Sequence, residues 1–155
     1  MLGLLLAAGP VAARPERVVS LNLCADQLVV ALADRPRIAA LSPLAADPAL
    51  SAVAAEAAGI PRVRTVAEEV LPLNPDLAIM GPWGAARVAA MLEGRGVAVL
   101  RLGLAEDFDA ILRHLRAVAA ALGETERGEA LAASIARDLA AIPPRADAPR
   151  ALVWQ

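Results

Sequence analysis

A chain of 155 residues, 58% of them apolar, is long enough for one ordinary domain with a full core. Its net charge is −2, and its 15 basic residues are all arginines scattered along the chain, which disfavours the basic face that nucleic-acid binding needs. One cysteine excludes an internal disulfide, and one cysteine with one histidine excludes the common multi-ligand zinc sites.

Residues 1–13, MLGLLLAAGPVAA, read as a signal peptide. The centre is apolar, the end at Val11-Ala12-Ala13 is small, and the run is too short to span a bilayer. It lacks the usual basic start, and a frayed apolar N-terminus is the alternative. An exported, periplasmic protein is the expectation.

The body alternates strand and helix. Residues 17–21 (RVVSL) read as a buried strand, 24–33 as a helix and 37–41 (RIAAL) as a second strand. Asp47 as N-cap and Pro48 in the first turn predict a helix over 47–58, closed by Gly59. Residues 62–65 are a short strand or an extended link. A short helix over 67–71 is cut by Pro72, and 76–80 (DLAIM) form a continuous apolar strand. A helix over 85–93 ends at Gly94 and Gly96, and 97–102 form another strand. Strands apolar on both sides, alternating with helices, indicate an α/β domain with a mostly parallel sheet and helices on both faces.

Residues 106–122 place Phe108, Ile111, Leu112, Leu115, Val118, Ala119 and Leu122 on one buried helical stripe. His114 falls on its flank, a solvated or boundary position. After Gly123, Thr125 caps a helix to about Ile142, with a narrower stripe of Leu131, Ile135, Leu139 and Ile142, ended by Pro143-Pro144. Residues 150–155 (RALVWQ) restart as a strand. A strand isolated by a long helix reads as the start of a further lobe.

The order of these pieces resembles the substrate-binding proteins of ABC importers for ferric siderophores, haem and cobalamin. The opening RVVSLNLCADQLVVALADRPRIAALS is similar to their strand–loop–helix–strand. In VAEEVLPLNPDLAIMG, the residues Glu68, Val70, Leu71, Leu73, Pro75, Asp76 and Leu77 fit the family pattern before a buried strand. LEGRGVAVLRL resembles its helix–glycine–strand step, and RALVWQ the first strand of a second lobe. The resemblance covers residues 17–155. It implies a Rossmann-like lobe over 14–123, an inter-lobe helix over 124–142, and the start of a truncated second lobe over 143–155. It also implies capture of a metal chelate between two lobes and delivery to a permease in the inner membrane, by a monomer. Such a protein is not an enzyme and needs no catalytic residue, metal ligand or resident cofactor.

In an open parallel sheet, ligands bind outside the carboxyl ends of the strands. The loops expected there are residues 22–24, 42–44, 62–64 and 81–84. Trp83, between Pro82 and Gly84, offers a rigid apolar plane to a ring ligand, or else packs on its own loop. Asn22 offers a polar contact and Leu44 an apolar one. Arg62 or Arg64 stands where the resemblance implies an aromatic in cobalamin receptors. An arginine there suits an anionic chelate, with a solvated arginine as the alternative. The resemblance also implies a docking glutamate for the permease. Residues 84–87 hold no acid, so Glu68 and Glu69 are the nearest candidates. Both also suit the N-terminal dipole of their own short helix.

Cys24 lacks the flanking glycines of a nucleophile elbow and a base in reach. It reads as a partly buried residue in the first turn of a helix at the cleft rim, with Asp26 and Gln27 capping and charging that turn. The rival reading is a nucleotide-binding α/β enzyme domain. Gly81-Pro82-Trp83-Gly84 does follow a strand and precede a helix, but it has neither the G-x-G-x-x-G spacing nor a P-loop lysine. A receptor for free zinc or manganese would need histidines with carboxylates, which one histidine does not supply.

Overall fold

The computed structural model describes residues 14–83 and 86–143. The expected signal peptide and the strand at 150–155 lie outside the described residues. Among them, four parallel strands form one sheet: β1 (Val18–Ser20), β2 (Ile38–Ala40), β3 (Leu77–Met80) and β4 (Ala98–Arg101), in the order β2-β1-β3-β4. Val18 sits between Ile38 and Leu77, and β3 pairs with β4 along its whole length. The extended link expected at 62–65 adds one parallel bridge, Leu41 to Arg62.

The helices are α1 (Leu23–Leu32), α2 (Ala67–Val70), α3 (Ala86–Glu93), α4 (Phe108–Leu122) and α5 (Thr125–Ala140). Alternating strand side chains feed two cores. Val18, Leu77 and Ile79 pack with Val29 and Leu32 of α1 and with Val118 and Leu122 of α4. Val19, Ala78 and Met80 pack with Val70 of α2 and with Ala89 and Leu92 of α3. The expected α/β lobe with helices on both faces is therefore present.

Three expectations need correction. The helix over 47–58 does not form; the segment is a series of turns. The Asp47 carboxylate accepts from the Ala49 amide and the Ser51 hydroxyl from the Val53 amide, local bonds that compete with helix. Leu50 is also exposed, so no apolar stripe anchors the segment. The strand β4 is not buried on both faces: Ala98 and Arg101 are exposed, because β4 lies at the sheet edge. On α4 the stripe is buried only from its second turn, and Phe108 and Ile111 are exposed.

The LNPDL motif anchors the opposite end of β1. Asn74 adopts a left-handed conformation, φ +47°, which asparagine tolerates better than most residues. The Asp76 carboxylate then accepts from the backbone amides of Glu16 (2.7 Å) and Arg17 (3.1 Å), and the Arg17 guanidinium donates to the Leu73 carbonyl (2.8 Å). At the same end of the sheet, buried Arg37 donates to the carbonyls of Pro15 (2.8 Å) and Leu122 (2.6 Å) and to the Glu124 carboxylate (2.7 Å). It places a cation at the C-terminus of α4, where the helix dipole favours one.

Gly123, φ +71°, turns α4 into α5. The two helices approach through small residues: a Cβ on Gly128 would lie 2.3 Å from the Ala119 Cβ. The first residue of α5 is Thr125, with Glu124 in the capping position, and its buried face is Gly128 and Ala132. Leu131, Ile135 and Leu139 are half-buried and Ile142 is exposed, so the expected stripe is only partly covered.

Candidate binding edge

All strands are parallel, so the loops that follow them gather at one edge of the sheet. The chain runs outward from β1 to β2 and then crosses back to β3 on the other side of β1. The carboxyl ends of β1 and β3 thus form the switch point at which open α/β sheets bind ligands.

Asn22 follows β1 at this point. Its side chain accepts from the Ala25 amide (3.1 Å) and caps α1. The cap is therefore Asn22, not the expected Asp26 or Gln27, because the helix begins one turn earlier than those residues. A Cβ on Gly81, after β3, would lie 2.8 Å from the Asn22 side-chain nitrogen. The absence of a side chain at Gly81 lets the two loops meet. Beyond it, Trp83 is 75% exposed, the most exposed large apolar side chain of the described residues. Gly84 and Ala85 lie outside those residues.

Leu44 follows β2 in a short 3-10 turn (Pro43–Ala46) and is exposed. Leu104 and Phe108 follow β4 and are also exposed. Sequence reasoning missed both as edge residues. Leu104 sits in a loop with no periodicity, and Phe108 fits the helical stripe although that stripe's first turn overhangs the sheet. Beside them, Cys24, Gln27, Leu28, Ala105, Ile111 and His114 line a groove of about 390 Å³ between the first turns of α1 and α4. Cys24 is exposed rather than partly buried, and His114 holds the boundary position expected for it.

Arg62 is exposed beside its bridge to Leu41. Arg64 is paired: its backbone amide (2.7 Å) and its Nε (2.6 Å) both donate to the Glu69 carboxylate. Hydrogen bonds from Arg64 hold the Glu69 carboxyl below the usual glutamate range. Glu68 is exposed beside it in the first turn of α2. The Thr65 hydroxyl donates to the Leu21 carbonyl (3.1 Å) and ties this loop to the end of β1.

Asp26 is fully buried behind the edge, and burial pushes its carboxyl above the usual aspartate range. Among the described residues, no group of three or more His, Cys, Asp or Glu side chains is placed to hold a metal ion, and no helix is long and apolar enough to cross a membrane.

A family model described as periplasmic binding protein matches residues 18–155, most of the chain. The chain belongs to the periplasmic binding protein family. Membership places it among periplasmic proteins. Similar solved structures agree. A periplasmic heme-binding protein from Pseudomonas aeruginosa is 29% identical, with TM-score 0.67, covering 81% of this chain and 45% of its own. RhuT, a periplasmic heme-binding protein from Roseiflexus sp. RS-1, is 30% identical, with TM-score 0.68, covering 81% and 48%. BtuF, a periplasmic vitamin B12 binding protein from Vibrio cholerae, is 26% identical, with TM-score 0.66, covering 82% and 49%. The chain thus spans about half the length of each solved relative. No curated protein matches it at significance.

Proposed function

We propose that this periplasmic binding protein is the solute-binding component of an ABC importer, which captures a ferric siderophore, haem or cobalamin-type chelate and hands it to a membrane permease. One observation carries the reading. Leu44, Trp83 and Leu104 stand exposed on three loops of the same sheet edge, at and beside the switch point, with Phe108 exposed at the start of α4. Exposed apolar groups gathered at one edge suit a large, partly apolar ligand. The solved relatives named above bind heme or vitamin B12, by their own descriptions.

In this reading residues 14–123 form the ligand-binding lobe, α5 carries the chain onward along 124–142, and 143–155 open a second lobe that closes over the edge. Trp83 and Leu44 contact the chelate's apolar surface, and Asn22 a polar group on it. Arg62 meets an anionic substituent, while Arg64 reaches ligand only by leaving Glu69. Glu68 and Glu69 are the permease-docking candidates on this lobe. Glu68 has the stronger claim, since its carboxylate is not held by Arg64. The receptor acts as a monomer and binds no nucleic acid.

The test is titration of the full-length protein with hemin, a ferric hydroxamate and cyanocobalamin, each followed by tryptophan fluorescence and by the chelate's absorbance. One of them is expected to bind with micromolar affinity or better, and Trp83→Ala to weaken it about tenfold. Saturation by none of the three, with a nucleotide raising the melting temperature instead, would favour the enzyme reading.

A further inference from the structure

Asp26 lies in the first turns of α1 with no solvent exposure. A carboxylate in such a place is costly unless its oxygens are hydrogen-bonded. Here both oxygens are held by one residue from another part of the chain, Ser42. The Ser42 amide donates to one oxygen (3.1 Å) and the Ser42 hydroxyl to the other (2.5 Å). The hydroxyl of Ser20, the last residue of β1, lies nearby and donates to the Asn22 carbonyl (3.4 Å). Both serines are buried.

Ser42 opens the 3-10 turn that carries Leu44, yet its hydroxyl does not cap that turn. It points back to Asp26. The same helix begins at Asn22, whose side chain rests over Gly81. One carboxylate therefore joins the loop after β1 to the loop after β2, immediately behind the exposed residues of the edge.

We propose that Asp26 is a positioning residue that holds the Asn22 loop and the Ser42–Leu44 loop in one ligand-ready arrangement. The role rests on the binding reading above for its purpose, but its geometry does not depend on which chelate is bound. A buried amide and hydroxyl that lose their acceptor incur the full cost of desolvation. The two bonds from Ser42 fix the Leu44 turn where an apolar residue at 26 would fill the same volume and leave the Ser42 amide and hydroxyl without partners.

The experiment compares Asp26→Ala, Asp26→Asn and Ser42→Ala in the full-length protein. Amide hydrogen exchange without ligand and hemin titration at its Soret band are the two readouts. Asp26→Ala is expected to speed exchange about tenfold or more across residues 42–46, with β3, β4 and the α4–α5 pair unchanged, and to weaken hemin binding by a similar factor. Asp26→Asn, which can still accept from the Ser42 amide and donate to its hydroxyl, restores both. Ser42→Ala gives the same local pattern at smaller size and decides the matter if Asp26→Ala does not fold. Unchanged exchange at 42–46, or exchange raised evenly over the whole molecule, overturns the proposal. If the wild-type protein ignores hemin, haem fails as its ligand, and the exchange pattern still decides the role of Asp26.

Discussion

The two edges of the sheet are built on opposite rules. At the amino edge, polar groups are paired: Asp76 with the Glu16 and Arg17 amides, Arg17 with the Leu73 carbonyl, Arg37 with Glu124 and two carbonyls. At the carboxyl edge, Leu44, Trp83, Leu104 and Phe108 stand in solvent. The first edge closes the fold. The second leaves apolar surface uncovered, which disfavours the free lobe and suits a surface that a ligand will bury.

The largest test of this contrast is Arg37→Ala. It leaves a 10%-exposed Glu124 with only the half-exposed Arg14 as its cation, and two carbonyls without a donor. A loss of about 2–3 kcal/mol is expected in urea unfolding, since buried acceptors left without a donor are costly and Arg14 compensates Glu124 only in part. A loss below about 0.5 kcal/mol would mean that the amino edge is not the fold's anchor.

Gly128→Ala probes the hairpin that links the two edges. The added Cβ meets Ala119 at 2.3 Å, so α4 and α5 must separate. The expected cost is about 1–3 kcal/mol, read from the thermal midpoint. An unchanged midpoint would show that the helices re-pack freely.

Asp26 gives the contrast a pH dependence. Its folded carboxyl titrates above the ordinary aspartate value, because burial outweighs the serine hydrogen bonds. Its contribution to stability is full below the unfolded aspartate pKa of about 4 and is lost as pH rises through the higher folded value. Asp26→Asn removes this dependence. The stability of the variant relative to wild type is therefore expected to improve as pH rises above about 4, and the opposite trend would refute the assignment. Glu69 has the reverse sign: its lowered pKa gives stability above the ordinary glutamate value, lost as pH falls. Its exposure keeps that effect small.

The smallest expected effect on stability belongs to the carboxyl edge. Trp83→Ala and Phe108→Ser should each shift unfolding by no more than about 0.5 kcal/mol, because neither side chain is buried. Their effect belongs in ligand titration instead. Large destabilisation by Trp83→Ala would place that ring in the core.

Much of this organisation is legible in the chain. Apolar runs separated by helical patterns place all four strands and helices α1, α3, α4 and α5 within a few residues of their observed bounds. Parallel connection then fixes which loops share an edge. The errors arise where a residue's neighbours come from elsewhere in the fold. The stretch 47–58 has helical composition, but its serine and aspartate hydrogen-bond locally and Leu50 finds no partner face. Phe108 and Ile111 obey the helical period, but the period does not say that the first turn of α4 projects past the sheet. Asp26 reads as an acid that caps and charges a helix start until the loop after β2 brings Ser42 against it.

The sequence by itself determined the α/β alternation, the parallel sheet and the edge that carries the loops. These depend on periodicity and on glycine and proline, which act within a few residues. The tertiary structure decided which groups on that edge are free and which are held. Arg64 is tied to Glu69, Asn22 caps α1, Asp26 grips the β2 loop, and Trp83 and Leu104 are left in solvent. Pairing and exposure depend on atoms brought together from distant parts of the chain, and local pattern does not encode that distance.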